Sequence, residues 1–514
     1  MLTDSQIDKI TLQMSETLDD HMKATLDIIS NLKVTPLLCT EVEDLSEGAK
    51  SSKASLVISP SRLILIHPPK YELRSWKKLI SLKYEQPIIT IHFSNCVYVF
   101  RSDIPDELMG NICHFLQRVL LPTELRQIHF DKMNAPPYCP GTFSFAARYM
   151  LNDTNSFNKN YERLLQIISG YKSTPELDKF DDLDNFLPIF VDILPFIQMF
   201  KYIRFPRIDS YNIMNILADL PLNLRSLYMI ELVGKIHDGF DRFLSCIKAN
   251  KDYSKLNTLS FENSHLEVHQ LLLLSEAILN GAIKGVEFHR AIHPTVVPYF
   301  YSHFLRHDIC RSLYLLNLDR APDIDLKLLF TKVKNIPFVS LAYCDLDIGD
   351  VFKAIFEAEI SNISVLNLTG NNASTIPQIP NGVTVPVTLR KLILDNISWP
   401  VGYFTPYLQF LFNYFEYGVS LGLSNIVTSD NDWNQLFDFL STCEYNKLLG
   451  LSWKDNPINL DFMKFLHRNP DIYTLNIDSC LRSTHKDIIA ELSALIRDSK
   501  RLTHFSASGT RSFY

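Results

Sequence analysis

ISVLNLTGN (363–371) decides the fold. Ile363, Leu366 and Leu368 hold its first, fourth and sixth places, and Leu366 and Leu368, two apart on one short strand, leave the backbone on the same side. Asn371 closes the stretch at the ninth place, where a side-chain amide can bond backbone groups of the turn and tie one copy to the next. LLGLSWKDN (448–456) repeats the pattern with Leu448, Leu451, Trp453 and Asn456. Asn371 and Asn456 are therefore the candidate members of an asparagine ladder.

Looser copies share this frame: Leu224/Leu227/Met229, Leu256/Leu259/Phe261, Ile283/Val286/Phe288, Cys310/Leu313/Leu315 and Phe338/Leu341/Tyr343. Leu389/Leu392/Leu394, Gly418/Leu421/Leu423, Ile472/Leu475/Ile477 and Leu502/Phe505/Ala507 follow. Their first residues advance by about 28 residues, the length of a long leucine-rich repeat. Ser264, Cys480 and Thr510 can stand in at the ninth place, and Ile397 and Ile426 show how degenerate the copies are. Between the strands, HQLLLLSEAIL, VPYFYSHFLRH and IGDVFKAIFEAE space their apolar residues as helices do. The pattern predicts an α/β fold, a leucine-rich-repeat solenoid of long, ribonuclease-inhibitor-like repeats with strands on the concave side. Aromatic residues between inward places, Tyr228 and Tyr314, would face that concave surface as anchors for a protein partner.

Phe200/Ile203/Phe205 extends the array towards the N-terminus, and Leu125, Ile128, Phe130 and Met133 also fit the frame. Residues 124–199 read as a connector with divergent capping repeats, since the end of an array must cover its core. Residues 200–514 are the repeats proper.

Ahead of these, 1–32 read as an amphipathic helix carrying Ile7, Ile10, Met14, Leu18, Met22 and Leu26. Residues 33–123 switch to short β runs, among them ASLVIS, RLILIHP, PIITIHF and CVYVF, and end in the helical DIPDELMGNICHFLQRVL with Asp103 as its expected N-cap. Strands closed by one C-terminal helix are the order of a PH-like β-barrel. Its bases, Lys50, Lys53, Lys70, Arg74, Lys77 and Lys78, are candidate contacts to anionic lipid, each contributing about 1 kcal/mol near a charged surface. A solvated barrel face is the plainer reading of the same dispersed charge.

A net charge of −7 argues against general nucleic-acid binding. Nine cysteines, no two closer than 17 residues, make no paired metal or redox motif and point to a reducing compartment. The start is too acidic for a secretory leader, and no apolar run is long enough for a membrane span, so the cytoplasm is expected. Three histidine pairs at i,i+4, namely His265/His269, His289/His293 and His303/His307, lack a third ligand or a general base. Phosphate loops and the GxSxG turn are missing, and no cofactor or catalytic activity is expected.

The layout resembles the CARMIL family, the capping-protein and myosin-I linkers of the actin cytoskeleton. SRLILIHPP (61–69), IHFSNCVYVFRSDIPDELMGNICHFLQRVLLP (91–122), FDDLDNFLPIFVDIL (180–194), LRSLYMIELVG (224–234) and ISVLNLTGN carry the resemblance. It implies a non-catalytic scaffold regulating actin assembly, with a membrane-facing head and a solenoid that binds proteins or dimerises. In that family the capping-protein-binding segment follows the repeats, whereas this sequence is still repeat-like at LTHFSASGTRSFY (502–514). The alternative is a leucine-rich-repeat inhibitor or sensor that binds one protein partner, unrelated to actin.

Overall fold

The computed structural model describes residues 19–509 except 33–35, 47–50, 60–61, 132, 138, 140–143, 153–158, 207–213, 215–216, 218–225, 237, 253, 322, 359–361, 379–387, 416 and 482–485. These residues fall into two compact units, Met1–Phe200 and Lys201–Tyr514.

The first unit is built on strands β1 (Leu38–Asp44), β2 (Ser52–Ile58), β3 (Arg62–His67), β4 (Lys70–Ser75), β5 (Leu79–Glu85), β6 (Ile88–Phe93), β7 (Cys96–Arg101) and β8 (His129–Asp131). They form one sheet in the order β4-β3-β2-β1-β7-β6-β5-β8, antiparallel throughout except for the parallel β5–β8 pair. Alternate residues such as Leu56, Leu63, Leu65, Ile89, Ile91 and Phe100 pack inward against the helix Pro105–Val119, which contributes Leu108, Ile112, Phe115 and Leu116. β2 and β3 read as unbroken apolar runs because both of their faces are covered. Val57, Ile64 and Ile66 point the other way and pack on Ile29 of the helix Asp20–Asn31. The N-terminal half of the helix expected over 1–32 lies outside the described residues.

Two expectations change here. The helix after β7 begins at Pro105 with Ile104, not Asp103, at its N-cap, because proline suits the first turn, where no N–H partner is needed. Leu125, Ile128 and Phe130 do not open the repeat array, since β8 pairs with β5 and belongs to the first sheet. Among the described residues, 134–199 carry helices, Ser144–Asn152, Lys159–Ser169 and Leu183–Ile193, and no strand.

Arg148, on the first of those helices, is 1% exposed yet charged. Its guanidinium donates to both Glu124 oxygens at 2.8 Å, to Asp192 Oδ2 at 2.7 Å and to the Val119 carbonyl at 3.1 Å. Planar forks suit two carboxylates at once, which is how the cation can leave water.

The second unit is a mixed α/β structure around one parallel sheet. Its strands are β9 (Tyr202–Phe205), β10 (Met229–Val233), β11 (Thr258–Glu262), β12 (Gly285–His289), β13 (Leu315–Asn317) and β14 (Phe338–Ser340). They continue with β15 (Val365–Asn367), β16 (Lys391–Ile393), β17 (Val419–Gly422), β18 (Leu448–Ser452), β19 (Thr474–Asn476) and β20 (His504–Ser506). All twelve lie in chain order, each parallel to its sequence neighbours. Register partners along the sheet run from Ile203 to Phe505, 302 residues in eleven steps or about 27 per step. Helices such as Val268–Leu279, Ile348–Ala358 and Asp430–Thr442 return the chain between strands. VPYFYSHFLRH is less regular than its spacing suggests: a π-helical turn spans Phe300–Phe304 and an α-helix restarts at His307, so His303 and His307 do not share one helical face.

The register corrects three of the expected frames. Inward residues are Ile230 and Leu232 with Leu227 first, Leu316 and Leu318 with Leu313 first, and Val339 and Leu341 with Ile336 first. Both LRSLYMIEL and CRSLYLLNL contain two overlapping triplets with the same spacing, and spacing alone does not choose between them. The turn that follows does. Counted in the corrected frame, the eighth residue of each unit from Leu227 onward has φ between 51° and 105°: Gly234, Asn263, Arg290, Arg320, Tyr343, Gly370, Asn396, Asn425, Asp455, Ser479 and Gly509. The rejected frames would put Glu231 and Asn317 there, both within strands, where a left-handed residue would break the ladder. At Gly370 the conformation is reinforced by crowding, since a Cβ would sit 2.2 Å from the Tyr343 ring.

Hydrogen bonds to backbone groups start from ninth places that carry an amide, hydroxyl or thiol. Asn371, 3% exposed, donates to the Leu341 carbonyl at 2.8 Å and the Leu368 carbonyl at 2.9 Å, and accepts from the Cys344 and Leu346 N–H groups at 3.1 Å. Asn456 donates to the Leu423 carbonyl and accepts from the Ile426 N–H at 2.8 Å. Ser264 and Cys480 donate to the preceding coil at Leu232 and Trp453. In the corrected frame Cys344 takes the ninth place instead of Leu346, and its thiol donates to the Leu318 carbonyl at 3.2 Å.

Candidate functional site

Strand alternation divides the second unit's sheet into two faces. Ile230, Leu259, Val286 and Leu366 are fully buried on one, whereas Thr258, Glu287, Val365 and Lys391, one residue along, reach solvent on the other. Chemistry-bearing side chains gather at two places on this open face.

On β9–β12 the register sets Arg204, Glu231, Ser260 and Glu287 side by side. Arg204 bridges Glu231 at 3.2 Å and Glu262 at 2.7 Å, and the Tyr202 hydroxyl donates to Glu231. His289 lies 3.2 Å from Glu287 and 3.7 Å from Asp319. A cavity of about 270 Å³ opens over this cluster, with Asn263, Arg290, Arg320 and Tyr343 at its rim. The Arg320 guanidinium lies 5.5 Å from the centre of the Tyr343 ring. Burial, and then the neighbouring Glu262, push the Glu231 carboxyl up to about 7. Burial works upward on Glu262 as well, but Arg204 holds it below the usual carboxylate range. Burial works against the charged form of His289, yet Glu287 and Asp319 hold its titration above the usual histidine value.

These shifts have a consequence for stability. An acid whose folded value exceeds its unfolded one binds more protons in the folded state, so stability falls as pH rises from the ordinary glutamate range to about 7. His289 acts with the same sign, because the stability conferred by its protonated form is lost as pH rises through its raised value. Glu262 acts with the opposite sign but only below the ordinary glutamate range, so between pH 5 and pH 8 it offsets little, and Glu231 alone sets a loss of about 2 kcal/mol. Urea unfolding at those two pH values should show the loss in the native chain and a clearly smaller one in Glu231→Gln. Equal losses would refute the assignment.

The second place is a hollow of about 730 Å³ over β16–β20, floored by small residues including Gly422, Gly450, Ser452 and Thr474 and bounded by Lys391, Tyr473, His504 and Phe505. Gly450 keeps it open, since a Cβ there would come within 2.4 Å of Thr474 Oγ1.

Tyr228 and Tyr314 are 41% and 64% exposed. They do not stand between inward residues as the uncorrected frames implied. Each is the second residue of its unit, immediately before its strand, on the edge where the chain runs into the sheet. Of the bases in the first unit, Lys50 lies outside the described residues. Lys53 pairs with Asp19 and Glu41, Arg74 with Glu72, and Lys77 with Asp192. Lys70 and Lys78 have no carboxylate partner among the described residues. Reading the sequence alone missed the Arg204–Glu231–Glu262–His289 cluster. Its signal was the charged residue between inward places on successive strands, legible only once the frame at 227–235 is right.

The second unit defines a class, a mixed α/β fold on one long parallel sheet, and no described helix is long and apolar enough to cross a membrane. No protein-family model matches the chain, and no curated protein matches it. Among solved structures it is similar to human 5T4 (Wnt-activated inhibitory factor 1, trophoblast glycoprotein), with 13% identity over 49% of this chain and 81% of that one. The TM-score of 0.24 is too low for that likeness to carry an argument.

Proposed function

We propose that this chain is a non-catalytic protein-interaction scaffold of the leucine-rich-repeat type, whose partner docks on the open face of the parallel sheet. One observation carries the reading: along the parallel sheet one face is packed, whereas on the other Thr258, Glu287, Val365 and Lys391 reach solvent. A wide sheet of fixed side chains on a rigid backbone is suited to holding a protein surface. The finer reading is a CARMIL-like regulator of actin assembly with a PH-like head. Support comes from the β4-β3-β2-β1-β7-β6-β5 order and the helix that follows β7. Lys70 and Lys78 are then the lipid-facing cations of a peripheral, cytoplasmic protein.

The test is affinity capture with the full chain against Val365→Arg/Ile393→Arg, which places two long cations on the open face. The captured partner should be lost in the variant at an unchanged unfolding midpoint. Actin-regulatory proteins among the captured set support the CARMIL-like reading; one stoichiometric enzyme supports an inhibitor unrelated to actin. Co-sedimentation with phosphatidylserine vesicles at low salt, lost in Lys70→Glu/Lys78→Glu, tests the head. No binding at low salt would remove the membrane role.

A further inference from the structure

We infer that the partner reaches the second unit through an extended acidic segment lying along the edge where the chain runs into the sheet. This rests on the scaffold reading and names the chemistry of its partner.

The second residues of successive units form a hydrogen-bonded row. The Tyr228 N–H donates to the Lys201 carbonyl at 2.8 Å, Asn257 to Tyr228 at 3.1 Å, Lys284 to Asn257 at 2.8 Å and Tyr314 to Lys284 at 2.6 Å. Because the backbone fixes the row, its side chains stand one strand spacing, about 4.8 Å, apart. Lys201, Lys284 and the adjacent Lys255 are exposed. None of the three has an ion-pair partner among the described residues. Lys255 Nζ lies 5.5 Å from the centre of the Tyr228 ring and 3.3 Å from its hydroxyl, so this aromatic surface already holds a cation against it. From Lys201 to Arg390 no second residue of a unit is acidic. In a chain of net charge −7 this edge is a cationic and aromatic strip.

Spacing and charge select the occupant. Lys201 and Lys284 are three strand steps apart, about 14 Å, which an extended peptide covers in about four residues. Carboxylates four residues apart on one extended segment therefore meet both lysines, with Tyr228 and Tyr314 as flat anchors alongside. A nucleic acid fits less well. Towards the other end of the same strands stand Glu231, Glu262, Glu287 and Asp319, which would repel a polyanion as wide as a duplex.

The probe is a fluorescein-labelled peptide of Glu-Ser-Gly-Ser repeated three times, titrated with the full chain at low salt and read by anisotropy. A lysine-for-glutamate twin and a thymidine oligonucleotide of equal length are the comparison arms. The acidic peptide should bind and its twin should not. Lys201→Glu/Lys255→Glu/Lys284→Glu should weaken binding by about tenfold or more, and Tyr228→Ala/Tyr314→Ala by about three- to tenfold. Both variants should keep the native unfolding midpoint. Undiminished binding by the charge-reversed variant, or tighter binding of the oligonucleotide than of the peptide, would overturn the inference. If Val365→Arg/Ile393→Arg loses the captured partner while the charge-reversed chain retains it, the scaffold reading stands and the strip is refuted. Retention by both overturns the scaffold reading itself.

Discussion

Asn371→Ala should lower the stability of the second unit by about 4 kcal/mol, a large share of what a domain holds in reserve. The side chain bonds four backbone groups at once, the carbonyls of Leu341 and Leu368 and the N–H groups of Cys344 and Leu346. Alanine leaves all four in a place 3% exposed, where water reaches them poorly, and each unmet group costs about 1 kcal/mol or more. Asn371→Asp is the informative comparison. It keeps the acceptor for the two N–H groups but sets a carboxylate against two carbonyls, so it should be no better than alanine at neutral pH and recover partly in acid. Urea midpoints of the full chain across pH check both. A loss under about 1 kcal/mol for alanine would mean that the turn is held by something other than this side chain.

Arg148→Ala should cost the first unit about 3–5 kcal/mol, the usual penalty for removing one partner of a buried charge cluster. The loss falls chiefly on Glu124 and Asp192, which would be left facing each other without the cation between them. Arg148→Lys should recover only part, because one ammonium cannot make both forks. Burial works upward on the Asp192 carboxyl, but Arg148 holds it below its ordinary value. A depressed folded value confers stability above the unfolded value and loses it as pH falls. The difference between native and variant chains should therefore narrow as acid protonates the carboxylates. A constant difference at every pH would point to lost packing instead.

The repeat was legible where its places carried the strongest signals. ISVLNLTGN and LLGLSWKDN offer one apolar triplet and an asparagine; their strands lie in the frame read from the sequence, and both asparagines bond backbone groups. LRSLYMIEL and CRSLYLLNL offer two triplets, and the choice between them depends on a left-handed turn residue that in the second is Arg320, a type with no sequence signature for that conformation. Because Tyr228 and Tyr314 sit in those two ambiguous stretches, the candidate surface inherited the error: both are exposed, but beside lysines on the running-in edge. The Arg148 cluster was invisible for a different reason. Its members lie 24 and 44 residues apart, and only the packing of the helix Leu183–Ile193 on Ser144–Asn152 brings them together.

The most direct test of the account asks which face of the second unit touches the partner. A photoreactive amino acid placed at Tyr314, 64% exposed on the running-in edge, should crosslink to the captured partner. The same group at Leu272, 51% exposed on the helix Val268–Leu279, should not. Crosslinking from Leu272 and none from Tyr314 would put the partner on the helices and contradict the account.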